Sequence, residues 1–360
     1  MQSERSSNKI DEQKLHDFML KASEDIGSTI SSVLLIIGDK LGLYKAMAES
    51  GRPISPKELA EKTDTHERIV REWLANQAAG GYVTYNASDG KYILPPEQAM
   101  ALADENSHVY IQGAYQSIRS FFKDEDKFIQ AFKTGKGLRW GDHHDDLFEG
   151  TARFFKPNYL GNLISSWIPS LNGVEKKLKQ GAKVADIGCG YGISTIIMAK
   201  TYPNSKFYGF DNHSISIERA KEQAIKEGVT ENLKFSSASA SDESIGKNYD
   251  LITFFDCIHD MSDPVGALKV AKQSIKQDGT CMIIEPMAND KLEDNLNLVG
   301  RIYYAASTLV CVPNSLADDG PALGAQAGEK KIKEIVERSG FTKFRRAVQT
   351  PFNIIYEVKQ

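Results

Sequence analysis

The chain has 360 residues, of which 41% are apolar and 26% charged, and its formal net charge is −4. This composition is typical of a globular protein of two domains and gives no electrostatic reason to expect binding to nucleic acid or to an anionic membrane. The longest aliphatic run, 33–37, is too short to span a bilayer, and the polar N-terminus shows no secretory apolar segment. The four cysteines lie far apart, so we expect reduced thiols in a cytoplasmic protein.

The first predicted elements are helices followed by a hairpin. Apolar residues over 30–48 recur at helical spacing and form one long stripe. A short helix begins at Ser55-Pro56, and another begins at Thr65. A hairpin follows, with strands at 82–85 and 91–94 and a turn at 86–90 between them. This order predicts a winged-helix domain over residues 1–105.

The charge of this segment bears on its role, because many winged helices bind DNA. Residues 1–105 contain 12 Lys and Arg against 17 Asp and Glu, a net charge of −5. The presumed recognition helix, 66–77, offers only Arg68 and Arg71, which Glu67 and Glu72 offset. DNA binding requires basic side chains that neutralise phosphates. We therefore expect dimerisation or closure of an active site, without nucleic acid, although the apolar stripe also fits a buried core helix.

A helical connector, 106–170, rich in aromatic residues, leads into a region of alternating strands and helices. The strands are predicted at 183–187, 206–210, 233–237, 249–255, 280–285, 342–347 and 352–358. A helix at 329–339 precedes the last two strands, which form a closing antiparallel pair. The fold class is therefore α/β, a doubly wound seven-stranded sheet over 171–360, with the helical winged-helix domain before it.

A glycine-rich turn follows the first of these strands and predicts a nucleotide-type cofactor. The strand ends in Asp186 and is followed by Gly188, Gly190 and Gly192, where backbone N–H groups can approach a ligand closely. Asp211 ends the next strand, where a carboxylate can accept ribose hydroxyls or cap a helix. The spacing lacks the last interval of the dinucleotide fingerprint, which favours S-adenosylmethionine over NAD.

These motifs resemble the class I S-adenosylmethionine-dependent methyltransferases. The matching stretches are 186–192, 209–211, 249–252 and the closing strands. The resemblance implies that the glycine turn holds the methionine part of the cofactor and that Asp211 holds the ribose. It places the adenine near Ala238 and Ser239, where this family often has an acid; the nearest acid here is Asp242. Asp256, after the fourth strand, is also predicted as a cofactor-binding residue, because it contributes to the shape of the backbone there.

The fourth strand runs into His259, which predicts the reaction. A histidine beyond a strand's C-terminal end faces the crevice in which doubly wound folds bind ligands, and it can take a proton from a hydroxyl near neutral pH. Glu285 ends the fifth strand and can orient the second ring nitrogen. His259 could instead be a satisfied structural histidine. Asp260 could contact substrate or cap the next helix.

The stretch 258–263 also resembles plant-type small-molecule O-methyltransferases, whose histidine is the base and whose winged helix dimerises. The resemblance makes Glu285 the supporting glutamate and puts a second supporting residue at Gln326 or Glu329. Over its whole length the chain is similar to an uncharacterised prokaryotic group of winged-helix methyltransferases, in part through the connector motif 142–155. We expect an O-methyltransferase of a small acceptor that forms a homodimer. An N- or C-methyltransferase and a cofactor-sensing DNA-binding regulator are the alternatives.

Two other features leave their roles open. Adjacent His143 and His144 in the connector could hold a metal, face the substrate or lie in a solvated polar loop. Because no His-x-x-x-His spacing is present, we expect no metal. The insertion 286–328 follows the fifth strand, where insertions commonly shape substrate pockets. It could equally be a helical cap that only closes the sheet.

Overall fold

The computed structural model describes residues 10–360, which divide between Tyr115 and Gln116 into two compact units. Most of the predicted connector, from residue 116 to residue 170, belongs to the second unit. The ranges predicted for the functional domains stay predictions, and each unit is described by itself below.

The first unit contains five helices and a two-stranded hairpin in the predicted winged-helix order. Its elements are α1 Glu12–Lys40, α2 Leu43–Ser50, α3 Pro56–Thr63, α4 Glu67–Ala79, β1 Thr84–Asn86, β2 Lys91–Ile93 and α5 Pro96–Leu102. Ser55 caps α3 through a reciprocal capping box with Glu58. The expectation of one uninterrupted stripe over 30–48 is wrong in one respect. The helix breaks after Lys40, and α2 begins behind Gly42, whose φ is 68°.

The core of the first unit forms where α1 approaches α4. The Trp73 indole donates to the carbonyl oxygen of Leu34 at 2.9 Å, and the Tyr44 hydroxyl donates to Gln77 at 2.5 Å. Gly38 makes this approach possible, because a Cβ there would lie 2.6 Å from the Trp73 ring. Part of the predicted stripe is therefore core packing.

The other side of α1 is apolar and exposed. Seven of its large side chains are 40% to 63% exposed and recur at helical spacing: Leu15, Phe18, Met19, Ile26, Ile30, Val33 and Ile37. We call these seven residues the exposed apolar face of α1. Over residues 10–360 no single helix meets the length and hydropathy of a membrane span, although α1 and α2 meet them as a pair bent by 65°.

The second unit is a sheet with helices on both faces. Its helices are α6 Gln112–Lys123 (which begins in the first unit), α7 Glu125–Thr134, α8 Asp146–Asn162, α9 Val174–Gln180, α10 Ile193–Thr201, α11 Ser214–Lys226, α12 Pro264–Ser274, α13 Leu298–Ala306, α14 Val312–Leu316 and α15 Glu329–Arg338. Its strands are β3 Lys183–Ile187, β4 Lys206–Asp211, β5 Leu233–Ser237, β6 Tyr249–Phe255, β7 Ile275–Pro286, β8 Lys343–Gln349 and β9 Asn353–Lys359.

The seven strands are arranged in the order β5-β4-β3-β6-β7-β9-β8. The first five pair in parallel, whereas β9 is antiparallel to both β7 and β8. This confirms the predicted doubly wound sheet with its closing antiparallel pair. The strand order reverses between β3 and β6, and in such sheets the crevice at the reversal point binds ligands.

Two apolar layers bury the sheet. Val184, Phe207 and Met282 pack on one face, and Ala185 and Ile283 pack on the other. Burial on both faces explains why these strands are nearly continuous apolar runs. One predicted boundary was late: β7 begins at Ile275, five residues before the predicted start at 280, and its pairing with β6 shifts register between Tyr249 and Leu251.

Candidate active site

The glycine turn leaves β3 with three left-handed residues. Gly188, Gly190 and Gly192 have φ angles of 72°, 51° and 73°, which strain any residue with a Cβ. A Cβ on Gly192 would lie 2.4 Å from the Phe235 ring, and one on Gly188 would lie 3.0 Å from the Cys257 sulfur. Gly190 has no such neighbour within 4 Å. Its backbone therefore borders open space that a ligand can occupy.

Asp186 lies beneath this turn and is fully buried. Its carboxylate accepts three hydroxyl hydrogen bonds, from Ser194 at 2.7 Å, Thr195 at 2.6 Å and Thr253 at 2.9 Å. Burial raises the pKa of Asp186 to about 6. The side chain thus joins β3 to the start of α10 and to β6, and it fixes the shape of the turn.

Asp211 stands at the end of β4, beside the turn. Its two carboxylate oxygens accept from the backbone N–H groups of Gly190 and His213, at 2.8 and 2.9 Å. Burial raises the pKa of Asp211. Each carboxylate oxygen can accept a second hydrogen bond, so the residue keeps capacity for hydroxyl donors. A carboxylate beside open space at Gly190 fits the ribose of a nucleotide-type cofactor.

The residues predicted to lie near adenine follow β5. The Ala238 N–H donates to the carbonyl oxygen of Asp211 at 3.0 Å, which brings this loop to the Asp211 strand end. Ser239 is exposed, and its hydroxyl contacts that of Ser241 at 3.1 Å. Asp242 caps a short 3-10 turn by accepting from the Ser244 N–H.

His259 and Glu285 form a buried pair at the ends of β6 and β7. Nδ1 of His259 donates to Oε2 of Glu285 at 2.6 Å, and Oε1 of Glu285 accepts from the Ile258 N–H at 3.1 Å. The two residues are only 4% and 3% exposed. Because Nδ1 carries the proton in this bond, Nε2 is the nitrogen available as a base.

The electrostatics of this pair are dominated by the carboxylate. Burial alone would lower the pKa of His259, but the Glu285 charge, together with the neighbouring Cys311, raises it well above its ordinary value. Burial also raises the pKa of neighbouring Asp260, to about 7. The site therefore concentrates titratable groups whose pKa values are displaced from their ordinary values, as active sites commonly do.

The insertion after β7 holds the His259 loop by its backbone. The Gly324 N–H donates to the His259 carbonyl oxygen at 3.1 Å. The Asn314 side-chain amide donates to the backbone carbonyl oxygen of Asp260 at 3.0 Å, and the Ser315 hydroxyl donates to the backbone carbonyl oxygen of Met261 at 2.8 Å. The insertion is thus a cap that also fixes the loop.

Neither residue predicted as a second support contacts His259 through a recorded bond. Gln326 donates to the carbonyl oxygens of Met287 and Ala325, both at 3.0 Å. Glu329 pairs with Arg346 at 2.6 Å. The residue of the cap that acts on the pKa of the imidazole is Cys311, which lies in the π-helical segment Ser307–Cys311 between α13 and α14.

Asp256 directly follows β6 and has a left-handed backbone, with a φ of 50°. Its Oδ1 accepts from the Asn353 amide at 2.7 Å, while Oδ2 is buried without a hydrogen-bond partner. Burial and the Glu285 charge raise the pKa of Asp256 well above its ordinary value. The side chain therefore lies with the His259–Glu285 pair at the strand ends.

The connector histidines have their partners within the connector. His143 is 5% exposed, with Nδ1 3.5 Å from Asp124, and burial lowers its pKa. His144 contacts Lys123 and the Asp146 N–H. The interpretation as a solvated polar loop is therefore wrong for His143. Within 10–360, no group of three or more His, Cys, Asp or Glu side chains could hold a metal ion.

Sequence reasoning missed Cys311 and Asn353. Asn353 opens β9, whose pairing with β7 sets it opposite Pro286, next to Glu285. A polar residue at the head of an apolar closing strand was a usable signal for this position. Cys311 gave none, because its approach to His259 depends on how the cap folds back over the sheet.

Comparisons with known proteins agree with this architecture. Residues 178–340 match the family described as "Methyltransferase domain". Residues 29–104 match the family described as "Rv2258c-like winged HTH domain". The two matches fall on the sheet of the second unit and on the helices and hairpin of the first.

Two curated relatives are O-methyltransferases. The chain is 24% identical over 238 residues to O-methyltransferase xanE of Aspergillus fumigatus, a match covering 62% of this chain and 54% of that protein. It is 22% identical over 365 aligned positions to myricetin 3-O-methyltransferase 3 of Solanum habrochaites, covering 91% of each. The chain thus spans about half the length of the first relative and most of the second.

Solved structures share the fold over nearly the whole chain. The structure of human N-acetylserotonin methyltransferase in complex with SAM aligns with a TM-score of 0.67 at 15% identity, covering 98% of this chain and 99% of that one. In its fold and in its two domain matches the chain is similar to the class I S-adenosylmethionine-dependent methyltransferases that carry an N-terminal winged helix.

Proposed function

We propose that this protein transfers the methyl group of S-adenosylmethionine to a hydroxyl group of a small acceptor, with His259 as the general base. The observation that carries the proposal is the buried hydrogen bond between His259 and Glu285, 2.6 Å long, at the strand ends beside the glycine turn. The names of the two relatives, both O-methyltransferases, support an oxygen acceptor.

The cofactor site uses the turn and the two strand ends next to it. Gly188, Gly190 and Gly192 let the backbone approach the methionine part, and Asp211 receives the ribose hydroxyls. Asp186 acts through the turn, since its carboxylate is already occupied by three hydroxyls. The loop that starts at Ala238 and Ser239 borders the adenine. When bound, S-adenosylmethionine supplies a methyl group on a positively charged sulfur.

The base acts through Nε2 of His259. As the acceptor oxygen bonds to the methyl carbon and the carbon–sulfur bond breaks, Nε2 takes the hydroxyl proton. Glu285 holds the ring through Nδ1 and stabilises the imidazolium that forms. The same carboxylate raises the resting pKa of His259, so the active neutral form requires a pH above that pKa. A positive charge bound nearby favours the neutral form, because like charges repel.

Two observations bear on the partners of the winged helix. Arg68 and Arg71 of α4 pair with Glu72 and Glu67, each at 2.6 Å, so their charges are already offset, which disfavours phosphate binding. The exposed apolar face of α1 supports a homodimer, since apolar patches of this kind mark interaction sites. Light scattering of the wild type and an Ile26→Glu variant tests the dimer; a wild-type monomer contradicts it.

Methyl-labelled S-adenosylmethionine and a cell extract test the function. After incubation, the extract is fractionated into small molecules, protein and nucleic acid, and the labelled product is examined by carbon NMR. We expect the label in the small-molecule fraction as a methoxy carbon. Asp211→Asn, which weakens the cofactor site, should give much less label.

Other distributions of label contradict the proposal. An N-methyl or C-methyl product would assign a different acceptor atom on the same fold. Label in protein or nucleic acid would remove the small acceptor. No label in any fraction, together with S-adenosylhomocysteine binding and salt-sensitive DNA binding, would favour a cofactor-sensing regulator.

A further inference from the structure

Three polar residues lie side by side where neighbouring strands end. Asp256 follows β6, Glu285 is the penultimate residue of β7, and Asn353 begins β9. The Asp256 N–H donates to the Ile284 carbonyl oxygen at 2.8 Å, and Asn353 stands opposite Pro286 in the sheet. The inference below concerns Asp256 and rests on the proposed function.

The backbone at Asp256 is in an uncommon conformation for a residue with a side chain. Its φ of 50° lies in the left-handed region, which costs about 1–2 kcal/mol for a residue other than glycine. Residues held in such conformations cluster at functional sites, where the surrounding structure determines them. Here the Ile284 carbonyl oxygen and the Asn353 amide fix the residue from two sides.

Asp256 is not needed to hold the catalytic pair. The two oxygens of Glu285 already receive the Ile258 N–H and Nδ1 of His259. No hydrogen bond runs from Asp256 to either partner. A second buried carboxyl group beside Glu285 therefore needs its own explanation.

A chain of amides determines which oxygen of Asp256 accepts. Oδ1 of Asn353 accepts from the Asn158 amide at 2.6 Å, so the NH2 group of Asn353 points to Asp256. It donates to Oδ1 of Asp256 at 2.7 Å. Oδ1 is thus the carbonyl-like oxygen, and a proton on this carboxyl group belongs on Oδ2.

That proton is expected, and it lacks an acceptor. Burial and the Glu285 charge raise the pKa of Asp256 well above its usual range, which favours the protonated form, as in other apolar sites that use a carboxylic acid as a donor. Oδ2 is buried and unpartnered. A buried donor without an acceptor is unfavourable unless a ligand supplies one.

The surroundings of Asp256 indicate which ligand does so. The side chain lies close to His259, and the pKa values of Tyr159 of α8 and Tyr303 of α13, which burial raises, are also coupled to Asp256, so both tyrosines lie near it. These two helices contribute the tyrosines to the region over the strand ends. The Tyr303 hydroxyl is already used, since it donates to the Phe352 carbonyl oxygen at 2.7 Å.

We propose that Oδ2 of Asp256 donates a hydrogen bond to a second oxygen of the acceptor, next to the hydroxyl that His259 deprotonates. The acceptor is then a hydroxylated compound with a neighbouring carbonyl, ether or second hydroxyl oxygen. Asp256 is a specificity-determining residue of the acceptor site, rather than the cofactor contact that the sequence predicted.

Infrared difference spectroscopy tests the proton without any acceptor. The wild type and Asp256→Asn, both saturated with S-adenosylhomocysteine at pH 7, are compared for the carbonyl stretch of a protonated carboxylic acid. We expect a band in the wild type that Asp256→Asn lacks. Asp278→Asn is the matched control, because Asp278 is an exposed partner of Lys177 at 2.7 Å. A wild type without this band would overturn the proposal.

Two substitutions test the hydrogen bond itself. Asn in place of Asp256 keeps a donor at the position of Oδ2, and Gly removes the side chain while tolerating the left-handed backbone. Transfer from labelled S-adenosylmethionine is measured over a dilution series of the extract's small-molecule fraction. For Asp256→Gly we expect a half-saturation about tenfold or more above wild type, and for Asp256→Asn one within about threefold.

Each outcome has a definite meaning. In both variants, S-adenosylhomocysteine affinity should stay within about twofold of wild type; a larger loss would make Asp256 a cofactor residue and overturn the proposal. Equal losses in the two variants would mean that an ionised carboxylate is required, and unchanged half-saturation would mean that Oδ2 has no ligand. If the wild type transfers the methyl group normally, either of these two results overturns this inference alone. If the wild type transfers no methyl group, the proposed function is overturned with it.

Discussion

The glycine turn and the His259 loop lie at neighbouring strand ends of one sheet, yet the chain builds them differently. The turn is fixed mainly from nearby: Asp186 binds Ser194 and Thr195, and Asp211 binds Gly190. The His259 loop is held by residues far along the chain, in β7 and in the cap. In the proposed function, cofactor binding therefore rests mainly on a local motif, whereas the chemistry depends on how distant segments pack.

Substitution of His259 should lower the rate of methyl transfer and leave cofactor binding intact. We expect His259→Ala to lower the methyl-transfer rate by about 10² to 10⁴, while S-adenosylhomocysteine affinity changes less than about twofold. His144→Ala is the control, since His144 contacts Lys123 and Asp146 in the connector. Rate assays and calorimetry measure the two quantities. A His259→Ala rate close to wild type would remove the base from the account.

Two glycine substitutions test the role of the glycine turn, because one adds a Cβ where a ligand could bind and the other adds a Cβ against packed side chains. Gly190→Ala borders open space, so it should weaken S-adenosylhomocysteine binding by about tenfold or more while costing about 1–2 kcal/mol of unfolding free energy through its φ. Gly192→Ala places a Cβ 2.4 Å from the Phe235 ring, and this overpacking should lower the free energy of unfolding by about 1–3 kcal/mol more. Calorimetry and urea denaturation compare them. Wild-type affinity in Gly190→Ala would show that the cofactor does not approach there.

The cap should have the smallest effect on rate, through Cys311. The proximity of Cys311 helps to raise the pKa of His259, so Cys311→Ala should move the acid limb of the pH–rate profile to lower pH by less than about one unit. Cys281→Ala is the matched control, because Cys281 is buried within β7. A limb that does not move would mean that Cys311 only packs against the ring.

The same division explains what the sequence could predict. Strand β3, the three glycines and Asp211 follow from periodicity and spacing, and the structure has them where they were expected. The break between α1 and α2 was missed because Gly42 interrupts a helix without interrupting the apolar pattern. A stripe of apolar residues identifies a face, but it does not say whether that face is core or, as for Ile30, exposed.

The surroundings of the base were harder to predict. Glu285 was found because it ends a predicted strand next to that of His259. Gln326 and Glu329 were expected as a second support from resemblance, and the structure gives them other partners. Which side chain reaches the imidazole from the cap depends on the path of the segment 286–328, and no local pattern records that path.

The pH dependence of kcat/KM in the wild type and in Glu285→Gln tests the central claim most directly. Glu285 stabilises the imidazolium and raises the pKa of His259, so the wild-type rate should rise with pH through an apparent pKa above the ordinary value of about 6.5. Asp260→Asn serves as a control, because burial raises the pKa of Asp260 to about 7 and its titration would fall in the same pH range. In Glu285→Gln, loss of the charge should shift the acid limb to lower pH by at least about one unit and lower the plateau. An acid limb that is unchanged in Glu285→Gln would contradict the assignment of the His259–Glu285 pair as the catalytic base.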